Sequence, residues 1–495
     1  MEKLESVLSR ARRYEHEQSS QISASDRPLM HLTPLVGWMN DPNGFCYYRG
    51  AYHLYYQYHP YHTSWGPMHW GHAYSTDLMH WTYAPCAMAP DTPGDAAGCF
   101  SGSALVLPDG RLMLAYTGVQ PASTHGQETQ AQCIAFGDGT DFVKAENNPV
   151  LSTREMDPLY SRVDFRDPKI WSEDGVFYMV AGCRHAQRAG TILLFRSSDA
   201  LHWTFVRELD ASRSELGQMW ECPDFFPMED TLSGKSTQVL LVSPQEMTAK
   251  GEFHAGYGTV ALLGEYDKGN HTFTRTSVQP VDEGLDFYAP QTVLAPDGRR
   301  ILIAWMCNWE TCQRAPRQHP WFGQMSLPRE VEVRGDRLLQ RPAREIQALW
   351  KDTVSYERVT VHAPESLPGI AGRVLDLQVT LHTGDTACRR FVMHLATDAD
   401  HYTEVRLSLT HNELVIDRSH DGSSRDIVHT RHVRIARREE TISLRVILDK
   451  ACVELFVGEG EQVLSCLIET PLSAEAITFQ ADQPLPMDVT CHHLG

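Results

Sequence analysis

The sequence repeats one pattern of turn and strand five times, and this repeat constrains the fold more than any other feature. In each copy, a polar turn that contains glycine precedes an apolar run with the composition of a β-strand. The five glycines are Gly50, Gly110, Gly175, Gly234 and Gly298, spaced 60, 65, 59 and 64 residues apart. All-β units that repeat at such an interval are typical of four-stranded propeller blades. The repeat therefore predicts a five-bladed β-propeller, although Asp-Gly hairpins also occur in other β proteins.

The segments on either side of the repeat follow different patterns. Apolar residues between Leu4 and Ala11 have helical spacing, which predicts a short helix over about residues 2–16. From about residue 350, apolar and polar residues alternate, which is typical of β-sandwich strands with one buried face. The expected fold is all-β, a five-bladed β-propeller followed by a C-terminal β-sandwich. Its predicted parts are an N-terminal helical segment (1–30), the propeller (31–345) and the sandwich (346–495).

Charge and composition exclude several classes of protein. The chain has 44 Lys and Arg against 63 Asp and Glu, a net charge of −19, which argues against nucleic-acid and anionic-membrane surfaces. No apolar run is long enough for a transmembrane helix, and residues 1–20 lack the apolar core of a signal peptide. The 12 cysteines are scattered without CxxC pairs, which predicts reduced thiols and a cytoplasmic location. Neither phosphate loops nor zinc-ligand spacings occur, so we expect no cofactor and no metal.

The repeat predicts where functional side chains converge, because the innermost strand of each blade lines the central channel. Eight to thirteen residues before the five glycines lie Asp41, Ser101, Asp167, Glu221 and Tyr288. Three of these are carboxylic acids in stretches rich in aromatic residues, the composition of a carbohydrate site. Glycoside cleavage needs one ionised carboxylate and one protonated acid, and crowded like charges separate their pKa values. The spacing alone does not rank Asp41 against Asp167, and three carboxylates could also hold calcium, although no calcium-loop motif is present.

Five ordered motifs carry a resemblance to a known family. They are WMNDPNG at 38–44, FSGS at 100–103, RDP at 166–168, ECP at 221–223 and FYAPQ at 287–291, with WFGQMSLPRE at 321–330 after them. Together they resemble glycoside hydrolase family 32, which contains the invertases and sucrose-6-phosphate hydrolases. The resemblance implies that Asp41 is the nucleophile, that Glu221 is the general acid and then the general base, and that Asp167 stabilises the transition state. It implies retention of configuration, with the Asp41 and Glu221 carboxyl groups about 5–5.5 Å apart.

The resemblance also implies a shell of residues that bind the sugar. These are Trp38, Asn40, Gln57, Trp65, Phe100, Ser101, Arg166, Cys222, Tyr288 and Trp309. Other interpretations stay open for half of them. Arg166 could chiefly neutralise the acids, Cys222 could be a packing residue, and Trp65, Trp309 and Tyr288 could be packed aromatic residues.

The predicted partner is a small carbohydrate, and a homodimer is left open. The resemblance and the expected compartment imply hydrolysis of sucrose 6-phosphate, sucrose or both. Arg314, Arg317 and His319 are candidates to contact a phosphate, or else form a solvated basic loop. Three alternatives remain: a fructan or fructo-oligosaccharide hydrolase, a carbohydrate-binding propeller without catalysis, and an inverting pentosidase. The C-terminal sandwich is expected to be structural, with a lectin-like or dimerisation role as the alternative.

Overall fold

The computed structural model describes residues 5–122, 126–312, 319–384, 386–436 and 440–495. Its regular structure is overwhelmingly β-strand, which confirms the all-β prediction. The predicted N-terminal helix is α1 (Val7–Ser19), and it begins after Ser6, whose hydroxyl accepts a hydrogen bond from the Ser9 backbone N–H. Within the described ranges, no helix has both the length and the apolar character needed to span a bilayer.

Helix α1 is fixed to the segment around Cys86. Arg12 donates from Nε to the Cys86 carbonyl at 2.8 Å, and the Glu15 carboxyl accepts from the Cys86 N–H at 2.8 Å. Glu15 is almost fully buried. Burial raises the pKa of Glu15 to about 7, and the hydrogen bonds from Cys86 and Tyr58 oppose that rise.

Five antiparallel sheets follow one another along the chain. The first contains β1 (Gly37–Tyr48), β2 (Ala51–His59), β3 (His69–Ser75) and β4 (Thr82–Met88). The second contains β5 (Gly98–Val106), β6 (Leu112–Gln120), β7 (Thr129–Gly137) and β8 (Phe142–Lys144). The third contains β9 (Tyr160–Glu173), β10 (Val176–His185), β11 (Ala189–Ser197) and β12 (Thr204–Ala211). The fourth contains β13 (Met219–Glu229), β14 (Ser236–Gln245), β15 (Val260–Asp267) and β16 (Thr272–Pro280).

The fifth sheet connects the end of this series back to its beginning. It contains β17 (Tyr288–Leu294), β18 (Arg300–Trp305), β20 (Arg329–Arg334) and β21 (Arg337–Pro342). The short strand β19 (Trp321–Phe322) leaves this sheet and pairs in parallel with β1 at the edge of the first sheet. The first strands of successive sheets contact one another, β1 with β5, β5 with β9, β9 with β13 and β13 with β17, and β17 contacts β1.

The repeated glycines lie where the sequence predicted them, in the turn between the first and second strands of each sheet. All five have a positive φ, between 69° and 87°. Glycine adopts this left-handed conformation without the steric cost that a Cβ would add. Because each turn needs a residue with a positive φ, a glycine recurs in every sheet, and this is the repeat that the sequence shows.

Each first strand contains an irregularity in its pairing near the predicted site residue. The register shifts between Met39 and Pro42 in β1, between Phe100 and Gly102 in β5, between Arg166 and Lys169 in β9, between Glu221 and Asp224 in β13, and between Tyr288 and Gln291 in β17. A β-bulge bends the strand and re-aims the side chains beside it. The five shifts therefore interrupt regular alternation at the positions where functional side chains are needed.

Two further sheets form the C-terminal part of the chain, after a single 3₁₀ segment, Arg344–Leu349. The strands are β22 (Trp350–Val361), β23 (Val374–His382), β24 (Arg390–Thr397), β25 (Thr403–Ser408), β26 (Glu413–Asp417), β27 (Thr430–Arg434), β28 (Thr441–Asp449), β29 (Cys452–Val457), β30 (Gln462–Leu467), β31 (Ala476–Ala481) and β32 (Leu485–Leu494). Their orders are β22-β32-β23-β28-β29-β30 and β27-β26-β25-β24-β31. Both sheets contribute to one apolar core, with Leu377 and Leu455 from the first and Phe391 and Val405 from the second.

A buried group of charges connects the C-terminal sheets to the rest of the chain. Arg329 has no exposed surface and donates to Glu454 from Nε at 2.9 Å and from Nη2 at 2.6 Å. It also donates from Nη1 to Asp282 at 3.0 Å. His31 lies between Asp449 and Glu454, with 2.9 Å to each carboxylate. Burying these charges is costly, so their pairing makes the position of the C-terminal part specific.

Candidate active site

A cavity of about 400 Å³ lies where the first strands of the five sheets meet. Its lining is polar and aromatic, and it includes the three predicted acids. The lining residues are Asn40, Asp41, Gln57, Trp65, Phe100, Ser101, Glu128, Gln130, Val163, Asp164, Arg166, Asp167, Glu221, Gln245, Tyr257 and Trp309. The sheets therefore bring together residues that are up to 269 positions apart in the sequence, from Asn40 to Trp309.

Asp41 is buried and held by hydrogen bonds to both carboxylate oxygens. Ser101 donates to Oδ2 at 2.7 Å, and the Asn40 amide donates to Oδ1 at 3.0 Å. Burial raises the pKa of Asp41, the negative charge of Glu221 raises it further, and the Ser101 and Asn40 hydrogen bonds oppose this. The donors fix the carboxylate in one orientation and favour its ionised form.

Asp167 lies on a bulge of β9 with a φ of +64°. Its backbone N–H donates to the Thr117 hydroxyl at 2.8 Å, and its Oδ2 accepts from the Cys222 backbone N–H at 2.9 Å. Burial raises the pKa of Asp167 to about 7, together with the charges of Glu221 and Asp41, while Arg166 lowers it. The carboxyl group is therefore poised to change its charge close to neutral pH.

Glu221 is held by two donors, one on each carboxylate oxygen. Arg166 Nε donates to Oε1 at 2.8 Å, and the Tyr288 hydroxyl donates to Oε2 at 2.7 Å. Burial and the nearby charge of Glu221 raise the pKa of Tyr288 well above its ordinary value, so the phenol keeps its proton and serves as a donor. The same hydroxyl lies 3.0 Å from the Ser243 carbonyl, which is its second acceptor.

Arg166 connects Glu221 to the wall of the cavity. Its Nη1 donates to Asp164 at 2.9 Å and to the Gln130 side-chain oxygen at 3.1 Å. Burial lowers the pKa of Arg166, but the charges of Glu221, Asp167 and Asp164 outweigh burial and raise it. The guanidinium group therefore stays charged and offsets part of the negative charge of the site.

Cys222 lies between two of the acids. Its Sγ is 3.4 Å from Asp41 Oδ2 and 3.5 Å from Asp167 Oδ2. Burial raises the pKa of the Cys222 thiol well above its ordinary value, and the charges of Asp167 and Asp41 add to this. A thiol in this position is a weak, neutral donor between two carboxylates, so it does more than fill space beside Glu221.

Seven of the ten residues predicted to bind sugar line the cavity, and three lie behind it. Trp38, Cys222 and Tyr288 are outside the lining of the described cavity and contact residues that form it. Trp38 donates from Nε1 to Asn40 Oδ1 at 2.7 Å, and Tyr288 has no exposed surface. Each of the three side chains is within hydrogen-bond distance of a residue that lines the cavity and so helps to position it.

The aromatic residues at the rim differ in exposure. Trp65 is 50% exposed and meets the ring of Phe100 edge to face, with 5.9 Å between ring centroids. Its interpretation as a core residue is therefore wrong. Trp309 is half-buried and stacks on Trp38 at 6.4 Å. Both indole rings reach the cavity, where an apolar face of a sugar could rest on them.

The sequence analysis missed several residues of the site. Gln130 and Tyr257 line the cavity, while Thr117 and Ser243 position Asp167 and Tyr288 from behind. None of them belongs to the motifs, and all lie in the second or third strand of a sheet or in a loop. Only the tertiary contacts identify them.

The predicted phosphate contacts are not part of the described cavity. Arg314 and Arg317 lie outside the described residues, and His319 stacks on Trp321 at 5.0 Å between ring centroids. Among the residues with a described placement, no group of three or more His, Cys, Asp or Glu has the geometry of a metal site.

Comparisons with known proteins identify the family of the chain. The family model for the N-terminal domain of glycosyl hydrolases family 32 matches residues 31–342, and the model for the C-terminal region of that family matches residues 345–488. The raffinose invertase of Escherichia coli is 37% identical over 458 residues, covering 92% of each chain. The sucrose-6-phosphate hydrolase of Escherichia coli is 36% identical over 454 residues, covering 89% of each chain.

The structure of a GH32 β-fructofuranosidase from Bombyx mori superposes with a TM-score of 0.84 at 33% identity and covers 98% of each chain. The two family models together cover most of the sequence, and the relatives exceed 30% identity over nearly its whole length. The resemblance seen in the five sequence motifs is thus confirmed, and the chain belongs to glycosyl hydrolase family 32.

Proposed function

We propose that this chain is a retaining β-fructofuranosidase that hydrolyses the fructosyl bond of sucrose, sucrose 6-phosphate or both. The observation that carries the proposal is the meeting of Asp41, Asp167 and Glu221 in one cavity with Trp65 and Trp309 at its rim. The names of the relatives support the same class of substrate. The site has the parts that glycoside cleavage requires, a carboxylate pair and an aromatic surface.

The proposed reaction has two displacements. In the first, Asp41 attacks the anomeric carbon of the fructosyl group while Glu221 gives its proton to the leaving glucosyl oxygen, so that the glycosidic bond breaks and a fructosyl ester forms. In the second, Glu221 removes a proton from water, which attacks the same carbon and releases Asp41. Asp167 accepts hydrogen bonds from fructosyl hydroxyls and stabilises the positive charge that develops on the ring.

The hydrogen bonds around the acids support these roles. Asp41 accepts hydrogen bonds from Ser101 and Asn40, which favour its ionised form and fix the orientation of its carboxylate, as a nucleophile requires. Glu221 has a charged donor in Arg166 and a neutral donor in Tyr288, which hold it through both of its protonation states. A proton donor and acceptor needs this kind of fixed orientation.

We further propose that residues 31–345 form a five-bladed β-propeller and that residues 346–495 form a β-sandwich, preceded by the segment 1–30. Five successive antiparallel sheets support the propeller, as does the contact of β17 with β1, which is what closure of a ring requires. The shared core of the two C-terminal sheets supports the sandwich. All 12 cysteines are buried thiols, which supports a reducing compartment such as the cytoplasm.

Kinetics on three substrates test the proposed activity. Wild-type protein is expected to release fructose from sucrose or sucrose 6-phosphate faster than from a short inulin-type fructan. Asp41→Asn and Glu221→Gln are each expected to lose most of the activity, about 10⁴-fold or more, with unchanged thermal unfolding as the control for folding. If fructose is released from none of the three substrates, the proposed hydrolase activity is wrong, and carbohydrate binding without catalysis is the remaining function.

The stereochemistry of the first product tests the mechanism. NMR of a fresh reaction is expected to show the β anomer of fructofuranose first, because two displacements retain the configuration. The α anomer as first product would contradict the nucleophile role of Asp41 and favour an inverting enzyme.

A further inference from the structure

A second cavity, of about 130 Å³, adjoins the catalytic cavity. Gln130 lines both of them. The wall between them comes from two short stretches of chain, because Glu128 and Val163 line the catalytic cavity while Thr129 and Arg162 line the second one. The two cavities are therefore neighbours separated by the thickness of one side chain.

The second cavity is lined by two arginines and by no carboxylate. Arg154 and Arg162 contribute the charges, and Ser152 and Thr129 contribute hydroxyl groups. Arg162 donates from Nη2 to the Arg154 backbone carbonyl at 3.4 Å, which connects the two segments that line the cavity. Within the described part of the chain, neither guanidinium group forms an ion pair, in contrast to Arg166 and its carboxylate partners.

Two unpaired guanidinium groups on one small cavity repel each other, which makes an anion the favourable occupant. Guanidinium groups bind phosphate through two parallel, charge-assisted hydrogen bonds, and neighbouring hydroxyl groups supply further donors. The net charge of the chain is −19, so a local excess of positive charge here is opposite to its overall balance. The chemistry of the lining therefore suits the oxygen atoms of a phosphate group.

Gln130 shows which end of the substrate faces this cavity. Its side-chain oxygen accepts from Arg166 Nη1 at 3.1 Å, and Arg166 holds Glu221 at 2.8 Å. Glu221 is the proposed proton donor to the leaving group, so the glucosyl group lies on its side of the site. Because Gln130 lines both cavities and also binds Arg166, the second cavity adjoins the part of the site that holds Glu221.

We propose that the cavity of Arg154 and Arg162 binds the phosphate group of a phosphorylated disaccharide, on its glucosyl half. This inference rests on the proposed function and specifies its substrate. It assigns phosphate selectivity to Arg154 and Arg162, which belong to none of the sequence motifs, rather than to the segment 314–319.

Paired kinetics on sucrose 6-phosphate and sucrose test the inference. The double variant Arg154→Gln, Arg162→Gln is expected to lose about tenfold or more in kcat/KM on sucrose 6-phosphate, mainly through KM, because two charge-assisted contacts are removed. Its kcat/KM on sucrose is expected to stay at the wild-type value. Arg111→Gln removes an exposed arginine from the turn after β5 and is the matched control, expected to leave both substrates unaffected.

Calorimetry with glucose 6-phosphate and glucose separates this inference from the proposed function, because it needs no hydrolysis. Wild-type protein is expected to bind glucose 6-phosphate more tightly than glucose, and the double variant is expected to lose that difference. Inorganic phosphate is expected to compete with sucrose 6-phosphate in the wild type. An unchanged ratio of the two substrates in the double variant would overturn the inference, even if inorganic phosphate binding were weakened. Inactivity of the wild type on every fructoside would instead overturn the proposed function, whatever the calorimetry showed.

Discussion

Replacing Arg166 by glutamine is expected to move the acidic limb of the pH profile to higher pH. Arg166 lowers the pKa of Asp167, which burial and the charge of Glu221 have raised to about 7. A full positive charge beside a carboxylate lowers its pKa by about one to three units. Removing that charge should therefore raise the pKa of Asp167 by about this amount, which corresponds to roughly 1.4–4 kcal/mol in the balance between its two protonation states.

The direction of the effect follows from the role of Asp167. The carboxyl group must be ionised to stabilise a positively charged transition state, so activity falls as the pH drops through its pKa. A higher pKa shifts this loss to higher pH, and kcat/KM for sucrose between about pH 4 and 11 measures the shift. In Arg166→Gln the acidic limb is expected to move up by about one to three pH units.

Two further variants separate charge from other effects of Arg166. Arg166→Lys keeps the charge but cannot bind Glu221 from one nitrogen and Asp164 and Gln130 from another. Its acidic limb should therefore stay near that of the wild type while kcat falls. Arg184→Gln removes a different partner of Asp164, 2.9 Å away, and should leave the limb in place. If Arg166→Gln lowers activity without moving the acidic limb of the pH profile, the charge of Arg166 does not control the protonation of Asp167.

Three other perturbations have defined outcomes. Trp65→Ala should raise KM for sucrose about two- to tenfold, because an aromatic contact with the sugar is lost. The midpoint of thermal unfolding should stay unchanged, because the indole is 50% exposed. An unchanged KM would show that Trp65 does not contact the sugar. Glu454→Gln should lower the free energy of unfolding in urea by about 3–5 kcal/mol, because it leaves the buried Arg329 with one of its two carboxylate partners, Asp282. A loss below about 1 kcal/mol would contradict this. Glu15→Gln should stabilise the protein at pH 8 by about 3 kcal/mol and hardly at all at pH 4.5. The raised pKa of Glu15, about 7 against 4.5, means that stability falls as the pH rises through that window. Equal unfolding midpoints of Glu15→Gln and wild type at pH 8 would contradict the raised pKa of Glu15.

The strand repeat and the three acids were predictable because their signals are local. The positive φ of the turn positions of Gly110 and Gly175 favours glycine whatever the rest of the chain does. The motif residues are contiguous in the sequence, so they too can be recognised locally. What could not be predicted is which side of a bulged strand a side chain occupies. Trp38 and Tyr288, which are predicted to bind the sugar, are outside the lining of the cavity and donate hydrogen bonds to Asn40 and Glu221, which line it.

The buried charges between the two parts of the chain were also beyond sequence analysis. Arg329 and Glu454 are 125 positions apart, and His31 and Asp449 are 418 positions apart. No periodicity connects such residues, and each one alone would be taken for a solvated surface residue. Only the packing of the C-terminal sheets against the first five shows why these charges are present.

Backbone strain at three positions gives the site its geometry. Asp167, Cys222 and Ala289 have φ values of +64°, +48° and +54°, a conformation that costs a non-glycine residue about 1–2 kcal/mol. Each donates its backbone N–H to a side-chain oxygen of the preceding sheet: Asp167 to Thr117, Cys222 to Asp167, and Ala289 to Ser243. Each strained residue is on the first strand of its sheet, and its hydrogen bond reaches the first or second strand of the preceding one, so that sheets two to five are connected in sequence. Cys222 directly follows Glu221 in the sequence, and its N–H donates to Asp167. The hydrogen bond that joins the third and fourth sheets therefore also fixes the distance between Glu221 and Asp167. The packing of the third sheet against the fourth therefore also positions Asp167 relative to Glu221.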